Sequence, residues 1–189
     1  MTAQAPDRVR YQRMKYDLVG VKGTGLFNPD QFGLVFGPTC SDNWRGYIVT
    51  YKVTDNLLKM EKLDFAAGLD KNGEPLTEFP TIYGGQAKQT STGPEYHYPP
   101  DTVPYTGGLL IGREFIQELY VHMGFQDAWK FRRVHELVFD QGRLTEHRDL
   151  SAAMEEYRQK REGRSLRPRD FSDGQNDMME WIKSNATRA

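Results

Sequence analysis

Cysteine is almost missing from this chain: Cys40 is the single one in 189 residues. That excludes an intrachain disulfide and a thiolate-only metal cluster, and it fits a reducing compartment. Long apolar runs are missing as well. No stretch approaches the roughly 18–20 apolar residues that a membrane helix needs. Residues 1–12 hold no apolar run, so no secretory signal is expected and the protein is placed in the cytoplasm. An excess of one charge is also lacking, with 25 basic against 26 acidic residues and a net charge of −1. No global field recruits a polyanion or an anionic bilayer, so neither nucleic acid nor membrane is expected as a partner.

Several motifs are absent too. The chain has no HExxH, no GxSxG elbow, no GK[ST] ending and no GxGxxG order. No catalytic residue, metal or cofactor is therefore assigned.

What is present is a self-match. Asp42–Asp64 superposes without a gap on Asp127–Asp149. Asp42, Trp44, Val49, Val53, Asp55, Glu61 and Asp64 meet Asp127, Trp129, Val134, Val138, Asp140, Glu146 and Asp149. Tryptophan is rare, so the match points to an internal duplication. In each copy a Trp-basic step leads into a hairpin. Gly46–Val53 and Leu57–Phe65 flank Thr54-Asp55-Asn56, and residues 131–139 and 143–150 flank Asp140-Gln141-Gly142. Tyr47, Val49, Tyr51 and Val53 alternate onto one core face.

The surrounding chain is read as follows. Residues 1–12 form a flexible terminus. Residues 13–150 form one duplicated α+β domain, with repeats at about 15–65 and 105–150. Residues 66–104, with six of the ten prolines, are a surface linker. Lys15–Lys22 and Phe32–Phe36 read as strands. The spacing of Phe115, Ile116, Leu119, Tyr120 and Met123 predicts a helix over Arg113–Met123. Residues 151–189 are a helical extension. It holds one helix from Ser151 to Gly163 and a last one near Gly174–Ser184, capped by Ser172 with Gln175. The expected fold is α+β. The two hairpin-bearing repeats share a mainly antiparallel sheet or barrel-like core, with one packed helix and two C-terminal helices.

Candidate site residues follow from this layout. Trp44-Arg45 and Trp129-Lys130 invite ligand stacking, although a duplicated tryptophan is more often a core anchor. Glu118 and His122, four apart on the expected helix, pair as carboxylate and imidazole. Glu136 takes the place of Tyr51 in the second copy and shares a face with Arg132. A groove between the copies would be walled by Glu136, Arg132, His122, Tyr51, Trp44 and Trp129. Met178, Met179, Trp181 and Ile182 give the last helix an apolar set for a protein partner or for self-association. Two functions stay open. One is a non-enzymatic cytosolic binding protein, an inhibitor or immunity-type partner of another protein. The other is a small-molecule-binding domain or hydrolase-like enzyme with its site in that groove.

Overall fold

A computed structural model describes residues 2–65, 68–69 and 73–161. Alternating apolar and polar residues form four hairpins. Strands β1 (Arg8–Tyr11) and β2 (Met14–Thr24) turn at Gln12-Arg13. After a 3₁₀ turn at Pro29–Phe32, β3 (Val35–Phe36) precedes β4 (Tyr47–Thr54) and β5 (Leu57–Phe65). Asp55 and Asn56 at the β4–β5 turn have φ of 53° and 58°, the left-handed pair that matches strand twist. A short β6 (Gly68–Leu69) pairs with β3. Then come β7 (Ala87–Thr90), β8 (Gly93–His97), β9 (Thr106–Phe115), β10 (Phe131–Asp140) and β11 (Arg143–Asp149). Helix α1 (Ser151–Arg161) follows.

Nine strands make one mixed sheet in the order β11-β10-β9-β2-β1-β4-β5-β8-β7. The β1–β4 pair is parallel and its other ladders are antiparallel. The sheet curls until β11 meets β5, where Arg143 faces Leu57. Leu58 N–H donates to Gly142 O at 2.7 Å and Leu144 N–H to Asn56 O at 2.8 Å, so two hairpin turns close the barrel. Val9, Tyr51, Met60, Leu63, Leu109, Ile111 and Leu137 fill the interior. A second apolar cluster lies on the outer face of β9 and β10, where α1 presses Met154 against Val134, Phe131 and Trp129. Arg158 ties the helix down, its Nη1 donating to Trp129 O at 2.7 Å and Phe131 O at 2.9 Å.

The mainly antiparallel sheet and its two hairpins agree with the sequence. Four expectations do not. The helix expected over Arg113–Met123 is absent, because β9 runs on to Phe115, which pairs with Phe131. Glu114, inside that strand, has φ 61°, and beyond Phe115 only Gln117–Leu119 of the expected helix makes a 3₁₀ turn. The apolar spacing that resembled a helix stripe instead supplies Phe115 and Leu119 to the outer cluster. Residues 1–12 are not a loose tail, since β1 is a central strand with Val9 0% exposed. The described part of residues 66–104 is not a draped linker, since it contains the β7–β8 hairpin and buries Ile82, Tyr96 and Val103. The Phe32–Phe36 segment splits into a 3₁₀ end and the two-residue β3.

The repeat does not extend past the hairpins. Trp44 is 55% exposed, whereas Trp129 is 7% exposed under α1. The register match thus joins two hairpins of one sheet with unlike flanks, and it carries no evidence of two equivalent units. Of the two C-terminal helices, the first is α1. The expected helix near Gly174–Ser184, with Met178, Met179, Trp181 and Ile182, lies outside the described residues.

Candidate functional site

An exposed aromatic patch is built by three segments that are remote in sequence. Residues 2–5 lie extended between the loop before β4 and the loop before β10. Ala5 N–H donates to Asp42 O at 2.7 Å and Gln4 N–H to Gly124 O at 2.8 Å. The Gln4 side chain accepts from Trp44 N–H at 3.0 Å, and the Tyr120 hydroxyl accepts from Ala3 N–H at 3.2 Å. This lacing brings together Trp44, Tyr120, Met123 and Phe125, which are 55%, 40%, 59% and 45% exposed. Arg45 is fixed by a bidentate pair with Asp7, both contacts at 2.9 Å. Its guanidinium lies 4.9 Å from the Tyr47 ring centroid and 5.5 Å from that of Phe125. Burial opposes the Arg45 charge, but the Asp7 carboxylate outweighs it and pushes the pKa up. His122 stacks edge-on against Tyr120 at 5.1 Å.

A charged groove of about 610 Å³ runs over the outer faces of β1, β2, β4 and β5 to the ends of β8 and β9. Arg10 pairs there with Glu61 at 2.7 Å and Arg113 with Glu114 at 2.7 Å. Lys62 bridges Asp64 and Glu95, and Glu95 also holds His97. Asp17 faces Arg8 across the β1–β2 ladder, and burial raises its pKa against the pull of Arg8.

The sequence-expected groove residues do not converge. Trp44 and His122 belong to the aromatic patch. Tyr51 is inside the barrel, its hydroxyl accepting from Phe27 N–H at 3.2 Å while burial holds its pKa well above 10. Trp129 is core. Glu136 points outward beside Gly108 and pairs with Arg148 at 3.3 Å rather than with Arg132. Arg132 is exposed and lines a shallow hollow with Glu155 and Arg158 against α1. The Glu118–His122 pair depended on the helix that does not form.

Sequence reasoning missed a histidine pair. His135 Nδ1 and His147 Nε2 are 3.1 Å apart, with Tyr16 and Tyr11 packed on the two rings at 5.5 and 5.3 Å. The interior-facing side of β10 is the one with His135 and Leu137, opposite to Val134 and Glu136. Only the β10–β11 register, with Leu137 facing His147, brings the histidines together. Burial lowers the His135 pKa below 6.5, against an attraction to Asp149. In that case the unfolded chain binds more protons than the folded one as pH falls through 6.5, so acidification costs stability. Melting temperature is expected to fall from pH 7.5 to pH 5.5, and His135→Gln should flatten that slope. A slope that the substitution leaves intact would assign it to other groups.

Among the described residues no His, Cys, Asp or Glu group of three or more is placed to hold a metal ion. No described helix is long and apolar enough to cross a membrane. Compared with known proteins, the chain matches no family model, no curated protein and no solved structure.

Proposed function

We propose that this is a non-enzymatic binding protein that engages another protein through the aromatic patch. The observation that carries this is the exposure of Trp44, Tyr120, Met123 and Phe125 together, beside a pinned Arg45. Trp, Tyr, Arg, Phe and Met are the residues enriched at interface centres. Large exposed apolar side chains gathered in one place mark interaction surfaces, whereas scattered ones need no explanation. The patch is also preorganised: the Trp44 backbone, Arg45 and Tyr120 already have protein partners, so little ordering cost remains for binding. The alternative, a groove chemistry using Glu136, His122 and Arg132, is not favoured by where these residues sit. Arg132 and Glu136 are four positions apart on β10, roughly 13 Å along the strand, and His122 is in another segment.

The test is affinity capture from native cells with quantitative mass spectrometry, followed by titration of the captured protein. Trp44→Ala with Phe125→Ala is expected to weaken a stoichiometric partner by at least about 2 kcal/mol, roughly thirtyfold in Kd. The melting temperature should stay near that of the wild type. Equal capture by both proteins would discard the patch. Sizing the pure chain separates self-association from a second protein. Removing residues 165–189 in a parallel sample asks whether the C-terminal contact expected from Met178, Met179, Trp181 and Ile182 contributes.

A further inference from the structure

The outer face of the barrel carries a row of cations that its strand registers set side by side. Arg10 faces Lys15 across the antiparallel β1–β2 ladder. Arg10 also faces Lys52 across the parallel β1–β4 ladder, and Lys52 faces Lys59 across β4–β5. Four adjacent strands thus present four basic side chains at one level. With strands about 4.8 Å apart, the row is about 14 Å long. Like charges directly opposite one another destabilise a sheet, and here three such pairs occur in succession. The protein neutralises little of this. Arg10 has Glu61, and Lys59 donates to the Pro100 carbonyl at 3.0 Å. Lys15 and Lys52 make no ion pair among the described residues.

We propose that this row is a binding site for an acidic protein segment, the carboxylates of one helix face lying along the four cations. Carboxylates three and four residues apart on a helix recur about every 5–6 Å, close to the strand spacing. Charge complementarity along such a row steers encounter and fixes register. A nucleic acid strand fits less well, because a long polyanion gains nothing beyond these four cations where the chain's net charge of −1 supplies no wider attraction. This site is carried by the strand registers alone and does not rest on the aromatic patch.

The experiment uses the full chain and fluorescein-labelled probes read by anisotropy. The probes are an alanine-based helical peptide with glutamate at every third or fourth position, its glutamine counterpart, and a thymidine oligonucleotide of equal charge. The acidic peptide is expected to bind saturably and to weaken as salt is added, because exposed charges are screened within about 10 Å at 0.1 M. Lys15→Gln/Lys52→Gln should weaken it by about three- to tenfold. The double variant should melt no lower than the wild type, since it relieves repulsion, and Lys15→Arg/Lys52→Arg should bind like the wild type. The proposal is overturned by absent binding of the acidic peptide, by equal binding of the glutamine peptide, by a double variant with unchanged affinity, or by tighter binding of the oligonucleotide. Loss of the aromatic-patch partner with peptide binding intact would sink only the preceding proposal.

Discussion

Gly107→Ala is expected to destabilise the protein by about 2–6 kcal/mol, from backbone strain and overpacking together. A large share of a typical domain's stability of about 5–15 kcal/mol would then be at risk. Gly107 pairs with Gly23 where β9 meets β2. Both have φ near the limit that only glycine tolerates, +142° and +140°. A Cβ on Gly107 would lie 2.0 Å from Lys22 O and 2.7 Å from Gly23 Cα. These are backbone atoms of a paired strand, so no rotamer change relieves the clash. The Tyr105 hydroxyl bridges the same spot, 3.0 Å from Lys22 O and 2.9 Å from Gly108 O. Gly33→Ala is the control. Gly33 has φ +66° with open space around its Cβ position, so it should lose only about 1 kcal/mol, the strain alone. Denaturant midpoints of the two variants decide the matter. If Gly107→Ala costs no more than Gly33→Ala, the close β2–β9 approach is not a constraint.

The second large effect is a contrast between two tryptophans that the sequence places in equivalent positions. Trp129→Ala is expected to cost about 3–5 kcal/mol, the usual range for a buried tryptophan. It would leave a cavity among Phe131, Leu150 and Met154 and remove the contact with Tyr157, whose ring lies 6.2 Å away. The seat of α1 would go with it. Trp44→Ala should stay within about 0.5 kcal/mol of the wild type, as surface changes do, because Trp44 belongs to neither apolar cluster. Its effect should appear in partner binding instead. Urea unfolding of both variants measures the difference. Equal losses would mean that the two tryptophans anchor equivalent units, and the duplication would return as the better account.

The two long hairpins were legible because their signals are local. Alternation over Tyr47–Thr54 and Phe131–Asp140, with Asp55-Asn56 and Gln141-Gly142 between strands, needs only neighbouring residues to be read. The helix error over Arg113–Met123 arose from the same kind of signal. Apolar residues at helical spacing were there, but Phe115 gains more by pairing opposite Phe131, with ring centroids 5.2 Å apart, than by starting a helix. The candidate sites fared less well. Trp44 was singled out from sequence with a core anchor as the favoured reading, but it is 55% exposed, and Tyr120, Met123 and Phe125 join it only because residues 2–5 lace two distant loops together.

The sequence alone settled the turns of the two long hairpins, the alternation of their strands, the start of α1 at Ser151, and the balanced charge. Each of these depends on residues within a few positions of one another or on composition. The tertiary structure decided that Arg8–Tyr11 is a central strand, that β1 runs parallel to β4, that β11 closes on β5, and which cations stand in one row. Those outcomes turn on register between segments tens of residues apart, where sliding one strand by a single residue would send every side chain to the other face. Nothing local in the chain encodes that choice. It is made by the barrel interior as a whole, which must bury Val9, Tyr51, Met60 and Leu109 at the same time.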